Sequence, residues 1–136
     1  MAGWYRALLL AALTVLAVSC RHAPSVVGKW KGTMFGQDVT AEFKDDKSMT
    51  ADIKAGAYGA VFSGTYVVDA KTLTLNFQSY KLEGVDDALA PLAKSFLDPV
   101  LAKPYQGKYH FNNEDELAIT YQNKTDVIKR IQEDAG

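Results

Sequence analysis

From Val26 onward, apolar and polar residues alternate along most of the chain. Val39, Ala41 and Phe43 are separated by Thr40 and Glu42, and Met49, Ala51 and Ile53 by Thr50 and Asp52. Leu73, Leu75 and Phe77 alternate with Thr74 and Asn76, as do Leu117, Ile119 and Tyr121 with Ala118 and Thr120. A period of two puts one apolar and one wet face on an extended chain, the pattern of a half-buried antiparallel strand. Eight such runs are predicted, at about 26–35, 38–44, 48–54, 60–69, 72–81, 105–112, 116–122 and 125–132. Short polar turns lie between them, among them Gly36-Gln37-Asp38, Asp45-Asp46-Lys47, Asp69-Ala70-Lys71 and Asn112-Asn113-Glu114-Asp115. Turns this short join neighbouring strands as hairpins. Closing the sheet on itself removes both exposed edges. The fold class predicted is therefore all-β: a small antiparallel up-and-down β-barrel of about eight strands.

One segment departs from this period. Across 86–102, Leu89, Leu92, Phe96, Val100 and Leu101 recur at helical spacing, with Asp86 or Asp87 as N-cap. Pro91 suits only the first turn, and Asp98-Pro99 ends or kinks the helix. One short helical insertion is thus expected between strands five and six. It reads first as a cap on one end of the barrel, and second as a lid over a ligand mouth carried by Leu89, Leu92 and Phe96.

The first twenty residues have a different character. Arg6 precedes an apolar run, Ala7 to Val18, broken only by Thr14. That is too short for a membrane-spanning helix and right for the apolar region of an export signal. Ala17-Val18-Ser19-Cys20 follows, and Cys20 is the only cysteine. The leader resembles a bacterial lipoprotein signal, with Ala17 where leucine is commonest. The resemblance implies a signal peptide over 1–19, lipidation of Cys20, a tether over 20–25 and a barrel domain over 26–133. It also implies a lipid-anchored place in the bacterial cell envelope, and Arg21 points towards an outer membrane. With Cys20 acylated, no disulfide forms and the fold rests on packing alone.

Charge and chemistry narrow the function. The chain has 15 basic and 16 acidic residues; Arg6 is the one charged residue of 1–19, which leaves 14 against 16. No basic block is present, so nucleic acid is not an expected partner. His22 lies in the tether, and His110 alternates with Tyr109 and Phe111, which turns it to solvent. Glu114-Asp115-Glu116 lacks the alternating ligand spacing of a calcium loop and reads as a solvated hairpin tip. Asn123-Lys124-Thr125 reads as a turn. There is no nucleophile motif, zinc spacing or phosphate loop. Neither an enzyme nor a bound cofactor or metal is expected.

Gly28-Lys29-Trp30 on the first strand, Gly64-Thr65-Tyr66 within the fourth and Arg130 on the last carry a second likeness. Together they resemble small bacterial lipocalin-like proteins of the calycin kind. The resemblance implies that Trp30 plugs the closed end of the barrel, Arg130 packs across its ring, and Gly28 belongs to the same closure. Gly28 and Gly32 are expected to leave room for the indole. The resemblance also implies a binder of a small apolar ligand, met near the membrane. Phe43, Phe62, Tyr66, Phe77, Tyr109, Phe111 and Tyr121 fall at inward positions and are the expected lining. The same aromatic bulk supports a rival reading, in which the barrel is filled and the domain is a non-catalytic module that binds an envelope protein.

Overall fold

The computed structural model describes residues 23–132. The leader, Cys20 and His22 lie outside the described residues. The described chain forms eight antiparallel strands: β1 (Gly28–Met34), β2 (Gln37–Phe43), β3 (Ser48–Ala55), β4 (Tyr58–Val68), β5 (Thr72–Glu83), β6 (Tyr105–Asn113), β7 (Glu116–Tyr121) and β8 (Lys124–Arg130). Each strand pairs with the next, and β8 pairs back to β1, so the barrel is closed. A helix, α1 (Ala90–Leu97), and a 3-10 turn (Asp98–Leu101) sit between β5 and β6. The expected fold class is the one observed.

Alternation decides which side chains enter the core. Val39, Ala41, Phe43, Met49, Ala51, Phe62, Leu73, Leu117 and Ile119 are all buried. No polar or charged residue is buried among the described residues. The turns divide into two ends. Those after β2, β4 and β6 share one end with Gly28. Those after β1, β3 and β7 share the other end with α1. At the first end the barrel is closed, because Trp30, Tyr66 and Leu117 fill it and are almost wholly buried.

The closure is built around Trp30. Its indole N–H donates to the Val26 carbonyl at 2.8 Å. Arg130 faces it in the β1–β8 register, with its guanidinium carbon 4.2 Å from the ring centroid. Arg130 also donates to the carbonyls of Val27 at 2.7 Å, Ser25 at 2.8 Å and Glu114 at 3.2 Å. Asp115 pairs with it at 3.6 Å. The Glu114-Asp115 tip is therefore part of a latch that ties the chain entry to the β6–β7 turn. Gly28 adopts φ +133°, and a Cβ there would lie 2.5 Å from an Arg130 nitrogen. This corrects the sequence expectation about the glycines. They make room for β8 and not for the indole: Gly28 for Arg130, and Gly32 for Ile128.

A bulge re-phases β5. Ser63 pairs with Ser79 and Gly64 with Phe77, which leaves Gln78 as an extra residue. Before it, Leu73, Leu75 and Phe77 point inward; after it, Tyr80 and Leu82 pack against the core instead. Gly64 permits this, because a Cβ there would collide with the backbone of Asn76.

Candidate functional site

The pairing of β5 with β6 covers only Thr72–Leu75 against Tyr105–Lys108. Beyond Leu75, β5 runs on to Glu83 beside β4 alone, and α1 with its 3-10 turn covers the gap. Neither Asp86 nor Asp87 is the N-cap of α1, which is Leu89 with no side-chain cap bond. Asp86 instead holds the turn before the helix, its carboxylate accepting from the Leu89 N–H at 3.0 Å and its carbonyl from Ala90 at 3.0 Å. Pro91 occupies the first turn, and Asp98 leads into the 3-10 turn. The far end is fastened by the Tyr80 hydroxyl, which donates to Asp98 Oδ1 at 2.6 Å. That bond pushes the Tyr80 phenol up to about 12. Deprotonation of the phenol as pH rises through that value removes the donor and breaks the bond.

Beneath α1 lies a cavity of about 490 Å³. The barrel is therefore not filled, despite its aromatic content. Among the described residues, the cavity floor is set by Phe43, Ala51, Phe62, Leu73 and Ile128, and its roof by Ala93, Phe96, Leu97 and Val100. The cavity falls within the range of small-molecule sites, about 300–1,000 Å³. No Lys, Arg, His, Asp or Glu lines it. Its side-chain polar groups belong to Gln37, Tyr58, Tyr105 and Tyr121, which all begin or end strands at the open end. The floor is apolar and the mouth carries an uncharged polar collar.

The seven aromatics expected to line a ligand site fall into two groups. Phe43, Phe62, Phe77 and Tyr121 line the cavity. Tyr66, Tyr109 and Phe111 are not part of its lining. Tyr66 packs edge-on against Phe43 at 4.9 Å and donates to the Lys44 carbonyl at 2.6 Å. Phe111 lies 6.3 Å from Trp30, and Tyr109 donates to the Asp69 carbonyl at 2.9 Å. Alternation puts all seven inward, but position along the barrel axis decides which of them meet open space. His110 is exposed, on the outer face.

The helical stripe is also redistributed. Of Leu89, Leu92 and Phe96, only Phe96 borders the cavity, and it is 72% exposed; Leu89 and Leu92 face solvent. Ala93, Leu97 and Val100 take the inward stripe, three and four residues apart. Both faces of this helix are apolar, so spacing alone does not choose between them. The choice falls to the Tyr80–Asp98 fastening and the 3-10 turn, which rotate Leu97 and Val100 towards β5.

Phe35 is a lining residue that sequence reading missed. It sits in the β1–β2 turn at φ +54°, followed by Gly36 at φ +77°. Asn or Gly is the usual choice for such a turn, and a bulky residue there is strained. The turn places the Phe35 ring at the cavity mouth, edge-on to Tyr121 at 5.8 Å. Gln37, Tyr58 and Tyr105 were also missed. They are inward by alternation, and their signal is their place at the starts of β2, β4 and β6.

No family model matches the chain, and no curated protein does. Its structure is similar to that of an uncharacterized protein from Bacteroides eggerthii DSM 20697, with a TM-score of 0.53 and 14% identity. That likeness spans 79% of this chain and all of the other. It is also similar to a lipocalin-like protein from Bacteroides uniformis ATCC 8492, with a TM-score of 0.51 and 13% identity, over 78% of this chain and 98% of that one. An eight-stranded antiparallel barrel, latched shut at one end by Trp30 and Arg130 and hollow at the other, is a lipocalin-like fold.

Proposed function

We propose that this chain is a lipid-anchored, extracytoplasmic protein that binds one small apolar molecule inside its barrel and catalyses no reaction. The observation that carries the reading is the cavity of about 490 Å³ with its apolar floor. Burial there gains about 0.8 kcal/mol for each CH₂ removed from water, so an aliphatic or ring-bearing ligand supplies its own affinity. The rival reading, a module with a filled barrel, loses its motive once space of this size is present. The likeness to the lipocalin-like protein from Bacteroides uniformis supports the fold side of the reading.

Native mass spectrometry of the protein purified from a bacterial envelope tests the binding. The expected spectrum carries an adduct of a few hundred daltons that organic extraction removes. A spectrum of bare protein from every preparation, together with failure to take up any apolar probe, would count against it.

Anchoring rests on Cys20 and the leader. The chain enters the barrel at the closed end, where Ser25 and Val27 are held by Arg130. A tether from Cys20 to Ser25 spans about 20 Å at most. In the proposed arrangement the closed end is therefore the one nearest the bilayer. The mouth lies at the far end of β1, about 20 Å further along, where it can exchange ligand with the surrounding compartment. Cys20→Ala is expected to lack the acyl mass and to be released when membranes are washed. A variant that stays bound with the wild-type mass shift would refute lipidation at this residue.

A further inference from the structure

The collar at the cavity mouth says more about the ligand than its apolar floor does. Tyr105 opens β6 and Tyr121 closes β7, and both face inward, two residues from the inward Gly107 and Ile119 on the same face. Their rings stand 5.9 Å apart, tilted by 55°. Phe77 packs on one side of the pair at 5.8 Å and Phe35 on the other at 5.8 Å. The pair is thus held in place by aromatic neighbours. Other inward-facing tyrosines behave differently: at the closed end Tyr66 and Tyr109 each donate to a backbone carbonyl, and beneath the 3-10 turn Tyr80 donates to Asp98. No protein group accepts from Tyr105 or Tyr121 among the described residues. Burial, then the neighbouring Tyr121, push the Tyr105 phenol up. At neutral pH Tyr105 therefore presents a neutral O–H group.

Charge in the lining is equally informative. No basic side chain lines the cavity. Lys54 alternates with the inward Ile53 on β3 and so lies on the outer face, and Lys124, which is paired with Tyr121 in the β7–β8 register, is exposed at the rim and is not part of the lining. An anionic head group drawn into the collar would gain no cation from the cavity lining, and the hydration it lost there would be costly. A hydroxyl or carbonyl group loses far less and is matched by the two phenols.

We infer that Tyr105 and Tyr121 form the polar subsite of the cavity, and that its ligand is an uncharged amphiphile carrying a hydroxyl or carbonyl at one end, rather than a carboxylate. This rests on the proposed binding function and specifies the class of molecule. The ligand enters with its apolar end towards Phe62 and Ile128 and leaves its polar end at the collar.

The experiment uses the chain from residue 20 onward with Cys20→Ser, and N-phenyl-1-naphthylamine, a neutral apolar fluorophore, as probe. Bound probe is displaced at pH 8 by 1-dodecanol or by dodecanoate, which share a chain length and differ in head group. The expected result is displacement by the alcohol at a concentration about tenfold lower or more, the scale of a lost hydrogen bond plus an unpaired charge. Tyr105→Phe with Tyr121→Phe should weaken the alcohol about three- to tenfold, read from the displacement curve after correction for the variant's own affinity for the probe. Equal displacement by alcohol and acid, or an alcohol affinity indifferent to the double substitution, overturns the subsite while binding by the cavity stands. Failure of the wild-type chain to take up the probe at all overturns the binding function beneath it.

Discussion

Trp30→Ala is expected to lower the stability of the barrel by about 3–5 kcal/mol, the range for truncating a large buried aromatic. Trp30 is fully buried, so the whole indole volume becomes a void at the closed end. The substitution also removes the ring beneath the Arg130 guanidinium, a cation–π contact worth about 0.5–2 kcal/mol in other proteins. Part of that is already counted in the truncation. What Arg130 keeps is its set of bonds to Ser25, Val27 and Glu114, so the latch stays tied at its rim while its centre is empty. Against a total stability of about 5–15 kcal/mol for a small domain, the loss is a large fraction of what holds the fold together. Urea unfolding followed by far-ultraviolet circular dichroism measures it. A midpoint equal to wild type would mean that Trp30 does not close the barrel. With no disulfide available within the described residues, packing is what resists the change.

The second large effect concerns binding. Ala60→Trp is expected to abolish uptake of N-phenyl-1-naphthylamine and to change stability by less than about 1 kcal/mol. Ala60 is buried on β4, and its side chain borders the cavity. Enlarging a residue in a packed core costs about 1–3 kcal/mol because neighbours must move. Here the added indole enters space that is already empty, and apolar contact with Phe62 and Leu82 offsets part of the strain. Val67→Trp is the control: Val67 is 58% exposed on the outer face of the same strand, and the same added bulk should leave binding intact. A variant at Ala60 that still binds the probe with wild-type affinity would place the ligand elsewhere. A variant at Ala60 that unfolds would show that the cavity is smaller in solution than its walls suggest.

The strands were legible because alternation is a local property. Val39 to Phe43 and Met49 to Ile53 need no distant information to declare an inward face, and the buried residues there are the ones expected. Trp30 and Arg130 were legible as a pair because they resemble a known closure, and their 4.2 Å approach follows from direct register between β1 and β8. The cavity was not legible. Alternation says that Tyr66, Tyr109, Phe77 and Tyr121 all point inward, but it carries no depth. Depth comes from which ends of the strands meet, and that places Tyr66 and Tyr109 at the sealed end and Phe77 and Tyr121 around open space. The bulge at Gln78 inverts the parity of β5, so Tyr80 and Leu82 lie inward at positions that an unbroken period would turn outward. An isolated glycine within a strand, Gly64, was the available sign of it. On α1 the sequence offers two apolar stripes, and only tertiary anchoring at Asp98 selects Ala93, Leu97 and Val100 over Leu89 and Leu92.

The central claim is that the hollow end of the barrel is a site for one ligand. A crystal structure of the domain grown with 12-bromo-1-dodecanol tests it most directly, because bromine is located by its anomalous scattering. The account predicts one bromine site per chain inside the barrel, among Ala51, Phe62 and Ile128, with the alcohol oxygen beside Tyr105 and Tyr121. Bromine found only on the outer surface, against Leu89 and Leu92, with Leu97 and Phe62 closed together over a filled interior, would contradict it.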